Sequence, residues 1–160
     1  MSSDDLAANK IYPLAANQPT QQAFQVEVWP PQIIDGQAVR VYQDIPLDEA
    51  RQQLIAQIHA KRNALEAQFQ WIDENGDTWL QSTDSQSQLK LQSCIQTNFN
   101  DYWFFENGNR VMNATQLQDL LNAGMQHVTL LFQKQKAKLD EVNALASVDE
   151  CRAFDVNAGW

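Results

Sequence analysis

The sequence predicts an α+β protein: a mainly helical domain with two short β-hairpins, preceded by a small N-terminal β arm. Three observations carry that expectation. The hexapeptide W-x-x-E-N-G occurs twice, at residues 71–76 and 103–108, each time between aromatic and β-branched residues that suit paired strands. From Asp48 onward, apolar residues recur at helical spacing. All five prolines lie at or before Pro46, which excludes long helices from the front of the chain.

The arm is expected over residues 1–46. Its first ten residues are poor in apolar side chains and read as a tail. Phe24, Val26 and Val28 alternate with Gln25 and Glu27 and run into Trp29-Pro-Pro31. Residues 33–42 then read as a hairpin turning on Asp35-Gly36, with Val39 and Val41 on one face. Two accounts of Tyr12, Trp29 and Tyr42 stay open. They build a local mini-core beneath that hairpin, or they stand out as an exposed docking surface, because some thirty-five residues bury little.

The second domain is expected over residues 47–160. Asp48 caps a first helix to about Gln68, with Ala50, Leu54, Ile58 and Leu65 on one stripe. Each Asn-Gly suits a type I′ turn, in which both central residues take positive φ. Two-stranded hairpins are marginal alone, so Trp71, Trp79, Trp103 and Phe104 are expected to be buried against helices. Thr83 or Asp84 caps the helix between the hairpins. Asn113 and Gln116 make a variant capping box before an apolar face that continues from Leu117 to Leu145, with Gly124 as the expected kink. Ser147-Val-Asp-Glu150 opens a last short helix. Gln135 and Lys138 interrupt the long stripe, which favours packing within the chain over a homo-oligomer, although a homo-oligomer stays open.

Composition removes several classes of function. A formal charge of −9 and a pI near 4.5 disfavour nucleic acid, whose backbone is bound through Lys and Arg. No apolar run is long enough for a membrane span, so no membrane insertion is expected. Cys94 and Cys151 lack metal or redox spacing and read as reduced thiols. His59 and His127 have no acid or thiol at ligand spacing, and the loop at Asp73 departs from the calcium-loop pattern in its Gly and last-ligand positions. The acidic pairs at residues 48–49, 73–74 and 149–150 fit helix starts and turns. No catalytic residue, cofactor or metal is therefore expected.

Certain local words recur in a recognisable order. They are the helix of residues 51–62, Phe69-Gln-Trp71 with its acidic turn, Ser82-Thr-Asp-Ser-Gln86, Trp103 with Glu106-Asn-Gly108, and Asn113-Ala-Thr-Gln-Leu117-x-x-Leu120, then Phe132, Lys136 and Lys138. This order, from about Asp48 to Asn157, resembles a helical domain of unknown function found in bacteriophage and prophage tail-fibre gene clusters. The resemblance implies a virion tail context, assembled in the host cytoplasm: a fibre-associated protein, or a chaperone of fibre assembly. The expected function is non-enzymatic binding of a tail-fibre or baseplate protein through Tyr12, Trp29, Tyr42 and Trp160. The alternative is a carbohydrate-binding fibre tip, with Trp71 or Trp103 stacking on a sugar.

Overall fold

The computed structural model describes residues 14–160. Six strands and four helices follow in the order β1 (Gln25–Ile34), β2 (Gln37–Asp44), α1 (Leu47–Glu66), β3 (Gln68–Ile72), β4 (Thr78–Ser82), α2 (Ser85–Gln96), β5 (Asn100–Phe105), β6 (Gly108–Asn113), α3 (Ala114–Ala144) and α4 (Val148–Ala153). Each consecutive strand pair forms its own two-stranded antiparallel sheet.

This corrects the expectation of a mainly helical domain behind a separate arm. Helix accounts for 47% and strand for 28% of the described residues, so hairpins and helices share the framework as an α+β arrangement with strands in front. Nor is the first hairpin a free arm. The chain divides into two compact units, one formed by residues through Gln53 with Leu145–Phe154, the other by Leu54–Ala144 with Asp155–Trp160. The first hairpin thus shares a unit with α4, over a hundred residues away. None of the helices among the described residues is long and apolar enough to cross a membrane.

In the first unit, Ala38, Ile45, Ala50 and Cys151 are buried. Arg152 on α4 holds the hairpin base: its Nε donates to the Ala23 carbonyl at 3.0 Å, and its terminal nitrogens pair with Asp44 and Asp149. Hydrogen bonds from Arg152 and then Gln25 hold the Asp44 carboxyl below its ordinary range. Ser147 caps α4 by accepting from the Glu150 amide at 3.2 Å, which is one half of a capping box, while the Glu150 carboxylate accepts from the Ala146 amide and not from Ser147.

The second unit has its core in Phe69, Leu91, Trp103, Phe105, Met112, Leu117 and Leu120. Helix α3 opens on a reciprocal cap, in which the Asn113 amide donates to Gln116 Oε1 at 3.0 Å and the Gln116 amide to Asn113 Oδ1 at 2.9 Å. It then runs unbroken for 31 residues, about 46 Å, through Gly124. Gly124 does not interrupt the helix and serves close approach: a Cβ there would lie 3.2 Å from the Phe69 ring. The polar interruptions Gln135 and Lys138 are buried with partners, His59 Nδ1 at 2.6 Å and the Asp155 carbonyl at 3.2 Å. His127 stacks on Phe69, and its Nε2 lies 3.0 Å from the Leu65 carbonyl.

Candidate functional site

Strands β1 and β2 turn on Asp35 and Gly36, with φ of 50° and 73°, so this hairpin closes in the type I′ form whose twist matches its strands. Its two edges differ. Along β2 the preceding chain closes the edge. Leu14 bridges to Ala38, the Ala15 amide donates to the Ala38 carbonyl at 3.0 Å, and Gln18 takes the Arg40 amide at 2.7 Å. Along β1, no strand among the described residues pairs with the outer edge.

The open edge carries the principal candidate. Between Val28 and Gln32 the register slips, so that Trp29, Pro30 and Pro31 form a bulge that contains a cis Trp29-Pro30 bond. Two consecutive residues without N–H cannot continue a ladder, and a bulge on an edge strand is where they are tolerated. Trp29 projects from it with 81% of its surface exposed, flanked on the same strand by exposed Ile33 and Ile34.

The other sequence candidates fare differently. Tyr42 is half-buried opposite Glu27; hydrogen bonding to Tyr42, then the Glu27 charge, raises the Arg40 guanidinium above its ordinary value. Trp160 belongs to the second unit, where it is half-buried and its Nε1 donates to the Val156 carbonyl at 2.7 Å. Tyr12 and the expected tail of residues 1–10 lie outside the described residues. The structure thus places Trp29 and Tyr42 on one hairpin, and of the two only Trp29 is fully offered to solvent.

The second unit shows what the other aromatics do. Trp103 is 8% exposed and donates its Nε1 to Gln81 Oε1 at 2.9 Å. Trp71 lies between the Phe105 ring and the Arg110 guanidinium, at 6.0 Å and 5.6 Å between centres. Phe104, expected inside, is 72% exposed, with Tyr102 and Val111 beside it on the same face of β5–β6. Strand alternation explains this, since four consecutive aromatics cannot share one face and Trp103 and Phe105 occupy the inner one.

A groove of about 320 Å³ opens between α2 and α3 over Phe69, Leu91, Leu121 and Met125. Polar groups at its rim are engaged within the chain: Gln81 Nε2 with the Ser82 carbonyl, Gln88 Nε2 with the Thr83 carbonyl, and Thr83 Oγ1 with the Glu66 carbonyl. Its lining holds no Asp, Glu, His, Cys or Lys, and its hydroxyls are those of Ser82, Thr83 and Thr129. Among the described residues no group of three His, Cys, Asp or Glu side chains could hold a metal. Asp73, the acid of the would-be calcium loop, instead accepts from the Asn75 and Asp77 amides at 2.9 and 3.0 Å, from Trp79 Nε1 at 2.9 Å and from Arg110.

No curated protein and no solved structure matches the chain. One family does, over residues 49–157, and that span exceeds half the sequence. The chain therefore belongs to the family described as Domain of unknown function (DUF4376).

Proposed function

We propose that this chain is a non-enzymatic bacteriophage tail component that binds a tail-fibre or baseplate polypeptide, with Trp29 and the open edge of β1 as its gripping surface. One observation carries the binding role. A large apolar ring, 81% exposed, stands on a bulge of a hairpin whose base Arg152 anchors, so little ordering remains to be done on association. Pro30 and Pro31 divide the edge, leaving residues 25–28 and 32–34 as two short stretches for strand addition, with the indole between them. The tail setting rests on the sequence resemblance alone. A permanent fibre-associated protein and an assembly chaperone both use this contact, and mass spectrometry of purified virions separates them. The sugar-binding alternative lacks a platform in Trp71 and Trp103, whose rings are covered.

The test is capture of a tail-fibre polypeptide from the same genome by the full chain. Replacing an interface hot spot costs about 2 kcal/mol or more, so Trp29→Ser should weaken capture about thirtyfold. Equal capture by the variant removes this hairpin from the account.

A further inference from the structure

Of all the asparagines, only Asn75 and Asn107 stand before glycine. Such a pair can react with itself. The glycine amide nitrogen attacks the side-chain carbonyl carbon of the asparagine, and glycine, having no Cβ, hinders that approach least. Glu74 and Glu106 precede the two asparagines, so the residue before the pair favours neither turn. A difference in their rates must come from the fold.

The fold separates the two at each group the reaction uses. The Asn75 side chain is exposed and makes no hydrogen bond among the described residues. The Asn107 carboxamide is held at both ends, accepting from the Leu80 amide at 2.8 Å and donating to the Thr78 carbonyl at 3.0 Å. A Cβ at Gly76 would meet nothing within 4 Å, whereas one at Gly108 would lie 3.3 Å from the Trp79 ring. Gly76 sits in the loop beyond the last strand pair, Ile72 with Thr78, while Gly108 is itself paired with Phe105. One contact opposes reaction at Asn75: the Gly76 amide donates to the Asp73 carbonyl at 3.0 Å and must let go first. Releasing one net hydrogen bond in an exposed loop slows the step about fivefold. Freeing Asn107 releases two, which slows it about twenty-fivefold before the strand pair is counted.

We infer that Asn75-Gly76 is a site of spontaneous deamidation in the folded chain and that Asn107-Gly108 is protected. The Gly76 nitrogen gives its proton to hydroxide and bonds to Asn75 Cγ; the Cγ–Nδ2 bond breaks, and Nδ2 takes a proton from water and leaves as ammonia. The five-membered imide then adds one water and opens to aspartate or to isoaspartate, whose main chain runs through the former side chain and is one carbon longer. The sum consumes one water and releases one ammonia. Either product adds a negative charge next to Glu74. In isoaspartate the added carbon falls between the Asn75 and Asp77 amides, both of which donate to Asp73. Modification therefore loosens the loop that Arg110 clasps through Asp73 and Glu74.

The test is incubation of the full chain at mildly alkaline pH, followed by digestion with trypsin, which puts Asn75 in the peptide of residues 63–90 and Asn107 in that of residues 91–110. Fragmentation mass spectrometry locates the gain of one dalton and tells isoaspartate from aspartate. The folded chain should gain isoaspartate at Asn75 at least about fivefold faster than at Asn107, and in concentrated guanidinium chloride the two rates should converge. The isoaspartate form should unfold at lower urea than Asn75→Asp, which adds the charge without lengthening the main chain. Equal rates at the two sites in the folded chain overturn the proposal, as does a ratio that persists in denaturant, or an Asn75 that stays intact while the unfolded chain reacts. Equal urea midpoints for the isoaspartate form and Asn75→Asp overturn the loosening.

Discussion

Trp71-Ile-Asp-Glu-Asn-Gly76 and Trp103-Phe-Phe-Glu-Asn-Gly108 share four of six residues and fold into different turns. In the first, strand pairing ends at Ile72 and Thr78, leaving a five-residue loop closed by the Gly76 amide on the Asp73 carbonyl at 3.0 Å. In the second, pairing continues to Phe105 and Gly108 over a two-residue turn. Neither is the expected type I′ turn, because Asn75 and Asn107 both keep negative φ. The third residue decides between them. Asp73 reaches back to accept the Asn75 and Asp77 amides, which opens the loop as an Asx turn does. Phe105 has no acceptor, so the strand runs through it and its ring packs against Trp71 and Trp79.

The difference makes one hairpin the socket and the other the plug. From the second hairpin, Phe105 enters between the two tryptophans, Arg110 pairs with Asp73 and Glu74, and the Glu106 amide donates to the Leu80 carbonyl at 3.0 Å. Exchanging the deciding residue should have the largest effect. Truncating a buried Phe to Ala costs about 3–5 kcal/mol, and Phe105→Asp adds an unpaired buried charge. Urea unfolding followed by tryptophan fluorescence should find no cooperative transition in that variant. A transition near the wild-type midpoint would mean that Phe105 is not the plug.

The socket should also be the acid-sensitive half. Burial alone would raise the Asp73 carboxyl, but bonds from Trp79, Asp77 and Asn75 and the Arg110 charge outweigh it and hold it below its ordinary value. Glu74 is lowered by a backbone hydrogen bond and then by Arg110. For lowered carboxyls the sign is fixed: their stabilisation is whole above the unfolded-state values of about 4 and is lost as pH falls through the folded-state ones. Asp73→Asn should therefore be less stable than wild type at pH 7, with the gap between their urea midpoints closing toward pH 3. A gap that does not change with pH would remove the charge from this account.

Much of the scaffold is legible in the residues. Ser147 with Glu150, Asn113 with Gln116, and Asp84, which accepts from the Gln86 and Ser87 amides, all cap helices where the local patterns place them. Such signals span three or four residues. The misses are non-local. Phe69 explains Gly124, and Arg152 meets Asp44 across 108 positions, so neither the role of that glycine nor the anchored hairpin could be read from neighbours. At the candidate site, the residues around Trp29 left a mini-core and an exposed surface both open until its 81% exposure decided, and nothing near Trp160 announces that its indole bonds Val156.

The two glycines sharpen the contrast at a smaller scale. Gly76 has φ of 86° with open space around it, whereas Gly108 has φ of 154° and a Cβ there would lie 3.3 Å from the Trp79 ring. Gly76→Ala should cost about 1–2 kcal/mol for the left-handed backbone alone. Gly108→Ala should cost about 1–3 kcal/mol for its backbone and more for displacing Trp79. Equal thermal shifts would place Trp79 outside the packed contact.

The finest discrimination lies in the asparagines, identical in type and in place within the repeat. Asn107 sets its amide against the free edge of β4, accepting from the Leu80 amide at 2.8 Å and donating to the Thr78 carbonyl at 3.0 Å, as a third strand would. Asn75 uses only its backbone amide, on Asp73, while its side chain stays in solvent. A net hydrogen bond is worth about 0.5–1.5 kcal/mol, and these two are exposed, so Asn107→Ala should cost about 1–2 kcal/mol in urea unfolding. Asn75→Ala should fall within about 0.5 kcal/mol of wild type, as surface changes do. If the two cost the same, the docking of one hairpin on the other runs through Phe105 and Arg110 alone, and the second Asn is a turn residue like the first.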